Sequence, residues 1–374
     1  MAEQKSRVEK GTALAQVQPE GEHHAAERSV NRGRKILVFA HVGRKEARDA
    51  ARQACAQLYK AGLTPVMTRS DLETLSENWD EPVPVQVVHE SVALIDIELG
   101  VVLGGDGSIL RAAEMVRRTS IPLIGVNLGH VGFLAESEES DLSETVRHIV
   151  NSEYTVEERM AIDVEVWNDG KRVHSDWALN EASVEKGNRE KMIEVIIEVD
   201  CRPLSTFGCD GVVMGTPTGS TAYAFSGGGP VVWPEVEAIL MVPLSAHALF
   251  ARPLVAAPTS TLAVELMPEN GASGVLWCDG RRTVELDPGS RIEVRRSEKS
   301  VLLARIHPAP FSERLVRKFE LPIRGWRGPQ EAETQSSKYG RLLTIFAARQ
   351  QLSPLQRGRE KFETVKRKGM NVRD

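Results

Sequence analysis

An apolar run of strand length, Ile97 to Leu103, ends in Gly104-Gly105-Asp106-Gly107-Ser108, and a stretch with helical periodicity follows at once. Ile109, Leu110, Ala112, Ala113 and Val116 fall on one helical face, so the chain here reads strand, glycine corner, helix. A buried strand that feeds directly into a helix belongs to a sheet covered by helices. The neighbouring segments agree. Ile36–Ala40 is a continuous apolar run, Lys45–Lys60 carries Ala47, Ala51, Ala54, Cys55 and Leu58 along one face, and Gly62 stops it. Thr64–Met67 and Ile121–Val126 read as further strands. This alternation predicts βαβ units and a parallel, Rossmann-like sheet. Arg69–Val85, with Trp79, Pro82 and Pro84, lacks periodicity and is expected to be a flexible loop. A helix over Asp141–Asn151 closes this half, with Asp141 as N-cap and Glu144 completing a capping box.

The texture changes after Glu153. Thr155–Trp167 nearly alternates, and Asn168-Asp169-Gly170 is a hairpin signal. Short strand-like runs follow at Met192–Val199, Gly211–Met214, Thr261–Leu266, Arg291–Arg295 and Val301–Ile306, which predicts a mostly antiparallel β half of sandwich type. A short helix is expected at Arg314–Phe319. The expected organisation is a disordered tail at 1–33, an α/β domain at 34–151, a β-rich domain at 152–328, and a basic extension at 329–374.

A net charge of −5 gives no global reason to expect nucleic acid as a partner. Cys55, Cys201, Cys209 and Cys278 form no C-x-x-C pair, which argues against a zinc site or a disulfide framework and for a reducing compartment. No apolar run approaches the roughly 18 residues of a membrane span, and the N-terminus lacks a signal-type apolar region. A cytoplasmic protein with no membrane partner is therefore expected.

Ligands of parallel sheets bind at the carboxyl ends of the strands, where the Asp106 corner lies. Glycines let a molecule approach the backbone, and a helix N-terminus suits phosphate. Asp106 could serve as a base or hold a metal beside a phosphate chain. A four-residue glycine corner is also a common structural turn, so both readings stand on this stretch alone. Three other stretches join it. Gly125–Glu136 is a glycine-rich loop carrying Phe133. Asn180-Glu181 is a polar pair at the end of a strand-like run. Asp210–Pro230 gathers hydroxyls, glycines and Tyr223. No cluster has the spacing of a metal cage.

Together and in this order, these stretches resemble the NAD kinase family over about residues 35–328. Gly104–Gly107, Asn180-Glu181 and Thr216–Ser226 are the clearest motifs. Cys209–Pro234 and Val242–Pro253 are most similar to the high-GC Gram-positive bacterial branch. Gly-Gly-Asp-Gly is shared with phosphofructokinases, diacylglycerol kinases and sphingosine kinases, whereas Thr-Pro-Thr-Gly-Ser-Thr-Ala-Tyr is far more specific. The resemblance implies phosphoryl transfer from ATP, and in some members from inorganic polyphosphate, to the 2′-hydroxyl of the adenosine ribose of NAD. It also implies a divalent ion, Mg²⁺, a homo-oligomer (dimer or tetramer), and a site between the two halves.

By the same resemblance, Asp106 is the catalytic carboxylate, which must come within about 2.6–3.2 Å of the hydroxyl it orients. Gly104 and Gly105 contact phosphate. Gly107 and Arg111 lie near the nucleotide, Asn180 and Glu181 contact NAD, and Lys191 matches a basic position. Asp210 lies near the nicotinamide half, and Thr221, Ala222, Tyr223, Ala224, Phe225 and Ser226 wall the adenosine pocket. Arg111 as a solvent-facing helix residue, Tyr223 as core packing and Phe133 as a buried anchor remain open beside these roles. His247 matches a family histidine that is equally readable as structural. Gly208 stands where some relatives have a basic residue, which leaves donor preference open. The alternative functions are a lipid or sphingoid kinase sharing the glycine corner, and a non-catalytic NAD-binding regulator.

Overall fold

The computed structural model describes residues 33–323, apart from 130–131, 136, 139–141, 189–190 and 308–309. The expected N-terminal tail, Asp141 as N-cap, and the basic extension lie outside the described residues. Residues up to Leu321 belong to one compact unit.

The first sheet is built from β1 (Lys35–Ala40), β2 (Thr64–Met67), β3 (Gln86–Val87), β4 (Leu99–Leu103), β5 (Leu123–Asn127) and β6 (Ser137–Glu138), all paired in parallel. Its helices are α1 (Lys45–Lys60), α2 (Arg69–Ser76), α3 (Asp106–Val116) and α4 (Leu142–Val150). Side chains alternate between two faces, and both are covered, which is why these strands read as unbroken apolar runs. Ile36, Val38, Leu99, Val101 and Ile124 pack against α1 and α4. Leu37, Phe39, Val102 and Leu123 pack against Ile109, Ala112 and Ala113 of α3.

The segment expected to be a loop after β2 begins instead with α2. Its N-cap is Thr68, whose hydroxyl accepts the Asp71 N–H at 3.1 Å. Only Asp71 and Leu75 are buried on this helix. Eight residues with two inward positions leave no periodicity to detect, so local capping and one docked leucine made the difference.

The rest is a sandwich. Its strands are β8 (Ile162–Asn168), β9 (Lys171–Ala178), β10 (Glu181–Lys186), β11 (Ile193–Val199), β12 (Arg202–Cys209), β13 (Gly211–Gly215), β14 (Ile239–Leu244), β15 (Leu254–Ala256), β16 (Leu262–Leu266), β17 (Gly274–Cys278), β18 (Arg282–Leu286) and β19 (Arg291–Arg296). One antiparallel sheet runs β12-β11-β16-β19-β8-β9, the other β15-β14-β13-β10-β17-β18. Their inner faces share one core, with Val164, Val195, Val264 and Ile292 from the first and Val184, Val212, Met241 and Leu276 from the second. Asp169 and Gly170 turn the β8–β9 hairpin with positive φ values of 48° and 70°, as the sequence signal requires.

The alternating stretch Thr155–Trp167 divides between layers. β7 (Thr155–Arg159) joins the first sheet through β20 (Val301–Arg305), which also meets β5, while β8 enters the sandwich. Through β20 the chain thus returns to the sheet that holds β1. A short helix, α5 (Tyr223–Ser226), follows the 3₁₀ turn Thr218–Thr221, and α6 (Phe311–Phe319) follows β20. Among the described residues no helix is long and apolar enough to cross a membrane.

Candidate active site

Leu103, fully buried, ends β4, and Gly104 makes the corner with φ +151°. A Cβ at Gly104 would lie 2.4 Å from Ser108 Oγ, so only glycine fits. Asp106 opens α3, where the helix dipole favours a carboxylate. The loop after β5 folds back onto it. Phe133 N–H donates to Asp106 Oδ2 at 2.9 Å, and Leu134 N–H donates to Oδ1 at 3.0 Å. Gly105 and Gly107 face open space, so a ligand could approach the backbone there.

Gly132 permits this clamp, because its Cβ would lie 2.3 Å from Asp106 Oδ1. Gly132→Ala should therefore displace the carboxylate and cut turnover on the order of 10²-fold, the usual consequence of a misplacement near 1 Å. Steady-state kinetics beside a thermal melt would check this; unchanged turnover would show that the clamp is dispensable.

The loop is itself held from behind. Arg305 donates to Leu134 O at 2.8 Å, and Arg314 of α6 donates to Phe133 O at 2.9 Å. The buried Phe133 ring lies 5.8 Å from both Phe311 and Phe319, so this aromatic acts as an anchor. Phe225 in turn stacks on Phe319 at 4.6 Å. This aromatic chain ties the loop beside Asp106 to the Thr216–Ser226 segment. Sequence reading missed the part played by α6. Its phenylalanines at either end were the available signal, but nothing local says what they touch.

Arg111 is half-buried rather than solvated, with its guanidinium 5.5 Å from the centre of the Phe39 ring. Its charge also opposes the rise that burial imposes on the Asp71 carboxyl.

Asn180-Glu181 is built by a residue the sequence reading did not single out. Asp279 is buried, and its carboxylate accepts the Leu179 N–H at 3.0 Å and the Asn180 N–H at 2.7 Å. It sits in the Asp279-Gly280 turn between β17 and β18, with φ values of 52° and 62°. An Asp-Gly pair is a turn signal that the sequence offers here, but the side chain's target is tertiary.

The Thr216–Thr221 turn wraps onto the same place. Thr216 N–H donates to Asn180 O at 2.9 Å, and its hydroxyl donates to Leu179 O at 2.6 Å and accepts the Gly219 N–H at 3.1 Å. A Cβ at Gly219 would lie 2.0 Å from Asn180 O. Ser220 Oγ bridges both backbone groups of Val232.

At the centre, Asn180 Oδ1 and Glu181 Oε2 are buried with no hydrogen-bond partner among the described residues. Burial, reinforced by the nearby Asp279 charge, pushes the Glu181 carboxyl up to about 8. Buried polar atoms are normally satisfied, and an unsatisfied pair on a built scaffold is what a polar ligand would complete.

The remaining expected residues divide. Thr221 and Ala222 are half-buried, and Tyr223 is 37% exposed, so it is not core packing. Burial and the neighbouring Glu185 raise its phenol. Ala224 packs with Val213 and Val242, while Phe225 and Ser226 are exposed. Asp210 pairs with Lys186 at 2.6 Å, and that hydrogen bond holds its carboxyl below the usual range. His247 N–H donates to Gly208 O at 2.9 Å. Lys191 donates to Asn270 O, and no described contact joins it to the other residues of the site. Among the described residues, one group of three possible metal ligands converges, Glu144, His148 and His307, and it includes none of these residues.

A glycine-cleared carboxylate at a helix N-terminus, with a separate turn that carries buried, unpartnered polar atoms, is an arrangement that suits a phosphate-bearing polar ligand. Comparison with known proteins gives the particular family. The ATP-NAD kinase N-terminal domain model matches residues 36–154, and the ATP-NAD kinase C-terminal domain model matches residues 179–306. An NAD kinase of Leifsonia xyli subsp. xyli is 57% identical over 296 residues, covering 79% of this chain and 97% of that protein. One from Thermobifida fusca is 56% identical over 300 residues, covering 79% and 92%. NAD kinase 2 of Streptomyces coelicolor is 55% identical over 300 residues, covering 80% and 98%. These similarities match the high-GC Gram-positive branch that the motifs suggested. Among solved structures, yeast NADH kinase complexed with NADH superposes with a TM-score of 0.69 at 22% identity, over 80% of this chain and 90% of that one. An NAD kinase from Archaeoglobus fulgidus in complex with ATP gives 0.58 at 23% identity, over 77% and 100%. At these identities the structural matches show the fold. The chain belongs to the NAD kinase family.

Proposed function

We propose that this kinase phosphorylates the 2′-hydroxyl of the adenosine ribose of NAD, with ATP as donor and Asp106 as the base. The single observation that carries the assignment of the site is the Asp106 carboxylate, held by the Phe133 and Leu134 N–H groups beside open glycine backbone. A ribose hydroxyl is a poor nucleophile, and a positioned carboxylate can orient it and take its proton. The hydroxyl oxygen attacks the γ-phosphorus, the bond from that phosphorus to the β–γ bridging oxygen breaks, and ADP leaves. The proton passes to an Asp106 oxygen. Transfer otherwise depends on positioning and charge neutralisation.

Asn180 and Glu181 would bind NAD through their orphaned oxygens, Glu181 in its neutral form as a hydrogen-bond donor. Tyr223, Phe225 and Ser226 would wall the adenosine, with Thr221 and Ala222 beneath. Asp210, paired with Lys186, would face the nicotinamide half. Gly104, Gly105, Gly107 and Arg111 would serve the phosphates. The corner offers one carboxylate and open backbone, a donor set that fits a Mg²⁺ ion carried mostly by phosphate oxygens and water. Such an ion would neutralise phosphate charge. A cytoplasmic homo-oligomer, and polyphosphate as a second donor, complete the proposal.

The lipid-kinase and regulator alternatives find no support in the comparisons. The test is an assay for NADP with ATP and polyphosphate side by side, and with diacylglycerol as the competing acceptor. NADP from ATP is the expected product. Saturable NAD binding without NADP would instead establish a regulator.

A further inference from the structure

We infer that Arg282 is a positioning residue: its guanidinium joins the helix that begins with Asp106 to the turn that holds Asn180 and Glu181. The inference rests on the NAD kinase reading of the site and adds a residue to it.

Arg282 opens β18 and spends its donors on several elements at once. Its Nε donates to Asp176 at 3.0 Å, Nη2 donates to Trp177 O and approaches Asp279 Oδ2 at 3.3 Å, and Nη1 forms an ion pair with Glu114 Oε2 at 3.5 Å. Asp279 is the carboxylate that holds the Leu179 and Asn180 N–H groups. Glu114 lies on α3, two turns beyond Asp106. The path therefore runs from the Asp106 helix through Glu114, Arg282 and Asp279 to the backbone of Asn180.

Apolar packing follows the same line. Leu179, fully buried, shares a core with Ile109, Ala112 and Ala113 of α3. Arg282 also lies 5.1 Å from the Trp177 ring centre, and Arg117 of the segment after α3 lies 4.4 Å from it. Arg117 reaches on to Ser297 Oγ and Lys299 O, both at 2.6 Å.

Only a planar fork can meet these partners together. Lysine supplies a point charge and cannot serve Asp176, Asp279 and Glu114 in one geometry. The reaction needs the base and the NAD-binding pair in fixed relation, since a small misplacement is expensive in rate.

The test is steady-state NADP formation by wild type, Arg282→Lys, Arg282→Ala and Glu114→Gln, each with a thermal melt. Arg282→Lys should lower kcat at least tenfold while KM for ATP stays within about twofold. Glu114→Gln keeps the side chain's shape and removes the charge that faces both Arg281 and Arg282 at 3.5 Å, and should lower kcat several-fold in the same sense. Millimolar guanidinium ion should restore part of the kcat of Arg282→Ala, which a general loss of stability would not allow. Unchanged kcat in both Arg282→Lys and Glu114→Gln would overturn the inference. Should Arg282→Lys fail to fold, Glu114→Gln decides alone. Failure of wild type to make NADP would reject the functional reading instead.

Discussion

Asp106→Asn is expected to lower kcat for NADP formation by about 10²- to 10⁴-fold, the range for loss of a positioned general base. The structure adds a second consequence. The Asp106 carboxylate accepts two backbone N–H groups, one on each oxygen. An asparagine has one acceptor oxygen, so its NH₂ would face either the Phe133 or the Leu134 N–H. One donor would then go unsatisfied, at a cost of about 1–3 kcal/mol if water cannot reach it. The loop should loosen, and the variant should melt lower as well as turn over slowly. NAD titration separates the effects, because Asp279 holds the Asn180 backbone directly, whereas this loop reaches the Thr216–Ser226 segment through the rings of α6. A variant with wild-type turnover would remove Asp106 from the mechanism.

The second large effect concerns Glu181. An ordinary glutamate titrates near 4.5, and burial raises this one to about 8. Between those values the folded chain holds the proton and the unfolded chain does not. Unfolding then releases a proton, so stability falls as pH rises through this window, by up to about 1.4 kcal/mol per pH unit. The contribution is whole below pH 4.5 and gone above about 8. Asp279, also raised by burial, acts in the same sense. Glu181→Gln cannot ionise and should flatten the profile. Relative to wild type it should gain about 2–3 kcal/mol between pH 6 and pH 8. NAD affinity of the wild type should fall over the same range, as the neutral carboxyl loses its donor proton. Denaturant melts and NAD titrations of both proteins at pH 6, 7 and 8 would decide it. Parallel profiles would show that Glu181 is charged throughout.

The two predictions differ in how far the sequence anticipated them. Asp106 was legible because strand, glycines and helix are consecutive, and local chain geometry places the acid at a helix N-terminus. Glu181 could be named from its motif, but its protonation follows from burial beside Asp279, a residue far along the chain. Asp279 itself drew no notice in the sequence, because an Asp-Gly pair says where the chain turns and not what the carboxylate holds. Helix α2 went unseen because its two buried positions are too few to make a pattern. Thr155–Trp167 reads as one alternating stretch, yet its first part pairs with β20 and its second with β19.

Periodicity and glycine placement, read residue by residue, were enough for the α/β and β-rich halves, the hairpin at Asn168 and the corner on which Asp106 stands, because each depends on contacts within a few residues. The clamp on Asp106, the aromatic chain through α6, the neutral Glu181 and the Arg282 joint came only from folding. Each is a meeting of groups distant in the chain, and a hydrogen bond or a burial cost exists only once packing has brought them within reach.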